Sequence, residues 1–194
     1  MRCHFIHGIR TSADSAVTGL LRYLPPDSAY PDYGWEWEGT TRIVNPAIVG
    51  TMQPYVEDGD VLIGHSNGCP IIYELLQRGV TAAGVVFING ALETDFTLPA
   101  SVGFADVYFN AGDEITEIAR VGAALGVTDC DWGELGHRGY TGAPDSRIAN
   151  IDCGNTVGMP IVSGHSDFFT PAKIAFWGPY LANRIRGHFA PAPP

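Results

Sequence analysis

The chain has 194 residues, with 21 acidic side chains against 11 basic ones and a formal net charge of −10. That length suits a single domain over residues 1–189, large enough to fold without a disulfide or metal staple, and the acidity with a lone lysine, Lys173, argues against nucleic acid or anionic lipid held by a basic patch. The longest apolar runs, such as residues 82–88, fall far short of the ~20 residues of a bilayer span, and no basic stretch or small-residue cleavage site opens the chain, so a cytoplasmic protein is expected.

Cys3-His4-Phe5-Ile6-His7 reads as a short buried strand halted at Gly8. Residues 13–24 read as a helix, with Val17, Leu20, Leu21 and Leu24 on one apolar face and Pro25-Pro26 as its stop. Trp35-Glu36-Trp37-Glu38 alternates like a half-exposed strand, and a helix is expected from Pro46. Asp58-Gly59 then turns the chain into the apolar strand Val61-Leu62-Ile63. Residues 68–78 read as a helix with Pro70 in its first turn and Gly79 as terminator. Further strands are expected at residues 84–88, 107–109 and 147–151. Ile115, Ile118, Ala119 and Leu125 mark a helix between the last two, and Ile174, Trp177, Leu181 and Ile185 mark a closing helix containing Pro179. Apolar strands alternating with amphipathic helices imply a three-layer α/β/α sandwich around a mostly parallel sheet.

Charged residues are only 16% of the chain and glycines number 24. Gly133, Gly136, Gly139 and Gly142 recur every third residue among Trp132 and Tyr140, and this excursion is either a plain surface loop or part of a substrate rim. The four cysteines show no metal-ligand spacing. Reduced, packed thiols are expected, with a Cys130–Cys153 bridge as the alternative. Residues 190–194 form a Pro-rich tail with little to hold it in place.

The stretch that carries chemistry is Gly64-His65-Ser66-Asn67-Gly68, a G-x-S-x-G between an apolar strand and a helix. A serine on so sharp a turn crowds the residues two before and two after it, hence the paired glycines. The turn exposes the hydroxyl and aims the next N–H and the helix N-terminus at a developing oxyanion. The bland reading of the same residues is a glycine-rich turn with a serine N-cap. A serine nucleophile needs a base and an orienting acid. His165, in Gly164-His165-Ser166-Asp167 ahead of the closing helix, is the expected base, with His137 and His188 as rivals. His4, His7 and His65 are expected to be structural. Asp113, after Val107-Tyr108-Phe109-Asn110-Ala111-Gly112, is the expected acid, ahead of Glu114, Asp95 and Asp152. The backbone N–H groups of Asn67 and Ile9 are the expected oxyanion donors, with Gly8 as the permissive neighbour of Ile9. Arg10, Trp132 and Tyr140 are placed near the mouth of the site.

Together His7-Gly8, Gly64-His65-Ser66-Asn67-Gly68, Asn110-Ala111-Gly112-Asp113 and Gly164-His165-Ser166-Asp167 resemble the α/β-hydrolase superfamily over residues 3–187. His7-Gly8-Ile9-Arg10-Thr11 and Gly139-Tyr140-Thr141-Gly142 also look like small hydrolases of bacteriophages and bacteria. The family's pattern opens with two further strands, so the resemblance implies a minimal version that starts at the third and carries no separate lid domain. It implies acyl transfer on Ser66 with a Ser-Asp-His triad, acting on a small-molecule or lipid-like carboxylic ester without metal or organic cofactor. The alternatives are a phage-type esterase of lipid-linked cell-envelope glycans and a non-catalytic binding protein on the same scaffold.

Overall fold

Strands with continuous apolar runs must be covered on both faces, and the chain supplies that cover by alternating strands with helices. A computed structural model describes residues 1–8, 16–31, 46–114 and 133–191. Five strands, β1 (Cys3–Ile6), β2 (Val61–His65), β3 (Gly84–Ile88), β4 (Phe104–Phe109) and β5 (Ile148–Asp152), form one sheet in that order. Every neighbouring pair is parallel, with Ile6 opposite Gly64, His65 opposite Ile88, Ile88 opposite Tyr108 and Phe109 opposite Asp152. Ala29 adds a single parallel bridge beside His4 on the outer side of β1. Because all five strands run one way, the loops that leave their carboxyl ends gather along a single edge.

Alternation along the strands sorts two cores. Ile6, Leu62, Val85, Phe87, Ala105 and Val107 face one side, under helices α1 (Pro46–Met52) and α2 (Gly68–Gln77) and the short α3 (Leu135–Arg138). Phe5, Val61, Ile63, Val86, Ile88, Phe104 and Tyr108 face the other, where Leu20, Trp177, Leu181 and Ile185 cover them. The last three belong to α4 (Pro171–His188), which contains Pro179. The result is an α/β fold of three layers. The segment expected as a helix over residues 13–24 is a 3₁₀ helix over Ala16–Tyr23. Thr18-Gly19 in its middle weakens an α-helical ladder, and Gly19 lies against Ile174 of α4. The expected strand at residues 35–38, the helix at residues 115–125, Cys130 and residues 192–194 lie outside the described residues. Cys153 is a free buried thiol, so the alternative bridge to Cys130 is not formed; burial raises its pKa, and that of Cys69, above the ordinary thiol value. Among the described residues, no helix is long and apolar enough to cross a membrane.

One charged contact holds the outer layer to the sheet. Asp106 of β4, 1% exposed, faces α4 and accepts a two-pronged bond from Arg184, at 2.9 Å from Nε and 2.7 Å from Nη2. His188 Nε2 adds a longer contact at 3.3 Å while its ring stacks on Phe104. Planar guanidinium and carboxylate match in geometry, which fixes the azimuth of α4 as well as its distance from β4. Removing one member of a buried pair strands the other, at a typical cost of about 3 kcal/mol. Arg184→Met is therefore expected to lower the unfolding free energy measured in urea by that much. A free energy within about 0.5 kcal/mol of the parent, roughly the effect of an ordinary surface change, would show that the pair contributes no net stability.

Candidate active site

β2 ends in the middle of the sheet, and the next residue, Ser66, has φ 54°. This left-handed conformation is uncommon for a residue with a side chain. It persists here because the backbone is fixed from several sides. Ser66 N–H donates to Ile88 O at 3.1 Å, and Ser66 O accepts from the N–H groups of Cys69 and Ala91, both at 3.1 Å. The two flanking glycines are required by space. A Cβ on Gly64 would lie 2.9 Å from Cys69 N, and one on Gly68 would overlap Ile6 O at the end of β1. The start of α2 thus presses directly on the end of β1. Gly8, just past β1, closes over the turn, where a Cβ would come within 2.7 Å of Ser66 Cβ and 3.2 Å of its Oγ.

Asp113 follows β4 and is fully buried. His165 lies in the loop that leads from β5 to α4. Its Nδ1 donates to both Asp113 oxygens, at 2.9 Å to Oδ1 and 3.0 Å to Oδ2. A carboxylate only accepts, so a ring proton sits on Nδ1. The sequence-predicted acid and base are therefore in direct contact. No hydrogen bond joins Ser66 Oγ to the His165 ring among the described residues. The two are neighbours through His65, whose ring centroid lies 5.0 Å from that of His165. Such a contact commonly tightens only in the substrate complex.

The fallback residues are placed elsewhere. Asp152 Oδ1 caps the turn at Gly154 N, Asp95 and Glu114 are exposed, and His188 is engaged with Asp106. His4 pairs with Asp60 at 2.9 Å, and His7 Nδ1 lies 2.7 Å from Gly8 O. Asn67 is wholly buried, and neither polar atom of its carboxamide has a hydrogen-bond partner. Ile9, Arg10 and Trp132 lie outside the described residues. Tyr140 packs edge-on against Phe96, 5.0 Å between centroids, and its hydroxyl donates to Ala143 O.

The glycine-rich excursion is more than a surface loop. A Cβ on Gly133 would overlap the Leu92 backbone, and one on Gly136 would lie 2.5 Å from Asp113 Oδ2. Gly136 O also accepts from Asn110 N–H, so this segment forms the floor under the acid.

One residue at the site escaped the sequence reading. Asn89 (φ 45°) follows β3, and its Nδ2 donates to His165 O at 2.5 Å. His65 Nε2 donates to the same oxygen at 3.1 Å. The only signal for Asn89 was an Asn-Gly pair closing a strand, which reads as an ordinary turn. Among the described residues, no group of three or more His, Cys, Asp or Glu side chains is arranged to hold a metal ion.

The fold is shared with solved structures. A YdeN-like hydrolase of Pectobacterium atrosepticum superposes with a TM-score of 0.56 at 15% identity, covering 96% of this chain and 91% of its own. TT1662 of Thermus thermophilus gives 0.51 at 15% identity, covering 98% and 90%. No protein-family model and no curated protein matches the sequence. At this identity the likeness establishes the α/β fold.

His65 gives the site a measurable pH signature. Its burial, and then the nearby His165, lower its pKa from 6.5 to about 3. A folded value below the unfolded one means that the neutral ring's contribution is intact above pH 6.5 and is lost as pH falls toward 3. At pH 5 the loss amounts to about 2 kcal/mol. His65→Gln keeps an N–H donor but does not titrate. The drop in urea stability between pH 7.5 and 5.0 should be smaller in this variant by that amount. Equal drops in the two proteins would show that His65 is not the group responsible.

Proposed function

We propose that the chain is a serine hydrolase of the α/β-hydrolase type, cleaving carboxylic esters through an acyl-enzyme on Ser66. The observation that carries this reading is the Asp113–His165 contact of 2.9 Å, with the His165 loop bonded to His65, the residue before a serine held at φ 54°. That three-residue set falls in the chain order Ser66, Asp113, His165 that this fold uses. The YdeN-like neighbour's designation as a hydrolase points the same way.

On this reading Ser66 Oγ attacks the ester carbonyl carbon while His165 Nε2 takes the hydroxyl proton. The carbonyl π electrons move to oxygen, where the N–H groups of Asn67 and Ile9 receive the negative charge. Collapse of the tetrahedral species re-forms the carbonyl and breaks the bond to the alkoxy oxygen, which leaves as alcohol with the proton from His165. Water then attacks the acyl-enzyme with His165 again as base, releasing the acid and restoring Ser66. Asp113 holds the ring proton on Nδ1 and stabilises the imidazolium as it forms. Arg10, Trp132 and Tyr140 are assigned to the substrate rim. No step calls for a metal or organic cofactor.

A fluorophosphonate probe is expected to label the protein on Ser66, and Ser66→Ala should abolish labelling. Hydrolysis of short p-nitrophenyl esters should fall by roughly 10³-fold or more in Ser66→Ala and comparably in Asp113→Asn. Undiminished turnover in Ser66→Ala would end the proposal. Wild-type turnover in Asp113→Asn would remove that residue from it.

A further inference from the structure

The loop that carries His165 and the turn that carries Asp113 are bound to each other by more than the imidazole–carboxylate contact. Gly112 N–H, directly before Asp113, donates to Asn110 Oδ1 at 3.1 Å. Asn110 Nδ2 donates to Asn89 Oδ1 at 3.1 Å, and Asn89 Nδ2 donates to His165 O at 2.5 Å and more weakly to Gly164 O at 3.4 Å. Both asparagines are buried, at 1% and 0% exposure. All three bonds point the same way, from the acid turn to the base loop. The orientation of each carboxamide is therefore fixed by its neighbour, because a flipped amide would set oxygen against oxygen.

The ends of this chain are clamped too. Asn110 N–H donates to Gly136 O and Asn89 N–H donates to Tyr108 O. Gly136 packs so closely that a Cβ there would lie 2.5 Å from Asp113 Oδ2 and 2.6 Å from the Asn89 carbonyl carbon. At the other end His165 O takes a second bond from His65 Nε2. The chain spans the ends of β3 and β4, so it ties the positions of acid and base to the sheet itself.

We propose that Asn89, through Asn110, is a positioning residue that sets where the His165 imidazole stands relative to Asp113 and Ser66. This rests on the acyl-transfer reading for its kinetic consequences, though its geometric content can be measured without turnover. Asn89 needs φ near 45°, which glycine and aspartate tolerate well. Asn89→Gly deletes the carboxamide without backbone strain, and Asn89→Asp keeps the shape but replaces the donor to His165 O with an acceptor.

The test compares both variants with the parent by thermal midpoint, by kcat and KM on a short p-nitrophenyl ester, by the pH profile of kcat/KM, and by the low-field proton resonance of His165 Nδ1. The expected result is a kcat lower by roughly 10- to 100-fold with KM nearly unchanged. In Asn89→Asp the acidic limb of kcat/KM should move to higher pH, because an added carboxylate favours imidazolium. The Nδ1 resonance should shift or broaden in both variants. A lowered thermal midpoint with parental kcat, pH profile and Nδ1 resonance would overturn the proposal. If the parent is not labelled on Ser66 while the Nδ1 resonance still responds to Asn89, the acyl-transfer reading fails and the positioning role stands. If either variant is too unstable to purify, Asn110→Ser, which shortens the chain one step further from His165, should give the same changes in smaller measure; parental values there would count against it.

Discussion

The contact on which the site depends is the pressing of α2's first turn against the end of β1. Gly68 has no side chain because Ile6 O occupies the place where one would go. That closeness lets β2 reverse into a helix within two residues, and Ser66 takes the strain as φ 54°. It also brings the segment after β1 over the turn, with Gly8 against Ser66. A parallel sheet alone delivers five loops to one edge. The glycine contact makes two of them touch at the serine.

The other half of the site is built on a different principle. Asp113 and His165 come from loops that follow β4 and β5, and Gly136 of α3 packs against the first of them. Their fixity comes from hydrogen bonds, with Asn89, Asn110 and Gly136 beneath and Asp167 behind. Asp167 accepts from Ser163 N–H and Oγ and pairs with Lys173, which closes the His165 loop on itself and pins it to the first turn of α4. The lone lysine of the chain is therefore spent on this loop. Burial of Asp167 raises its pKa, but the bonds from Lys173 and Ser163 outweigh it and hold the carboxyl below the usual range.

Strand positions were readable because burial on both faces leaves an uninterrupted apolar run, and each of the runs around residues 3–6, 61–65, 84–88 and 148–151 is a strand. The serine turn was readable because steric demand writes itself as glycine at fixed offsets. Gly133 and Gly136 were not readable in the same way. Their spacing of three suggests a repeat, whereas one packs on the Leu92 backbone and the other on Asp113. Asp106 likewise carries no local signal, since its partner Arg184 is 78 residues away and on the last helix. Asn89 was hidden for a related reason: an Asn-Gly at a strand end satisfies the local rules for a turn so fully that nothing in the sequence asks for a second role.

The distribution of buried polar groups has its own logic. The fold uses full charges away from the serine turn: Asp106 with Arg184 under α4, and Asp60 with Arg2 and His4 just ahead of β2. Burial alone would raise the Asp60 pKa, and the Arg2 contact with its hydrogen bonds brings it below the ordinary value. The side chains that bond to the His165 carbonyl and to the turn before Asp113 are amides and a neutral imidazole. A second buried charge there would change the proton affinity of His165, favouring imidazolium if negative and opposing it if positive. Carboxamides supply donors and acceptors of fixed direction and little net field. The Asp167–Lys173 pair also holds the His165 loop, but through Ser163 and the first turn of α4 rather than at the ring. For a proposed base that must gain and lose a proton in each cycle, that arrangement leaves Asp113 as the one charge in direct contact with the ring among the described residues.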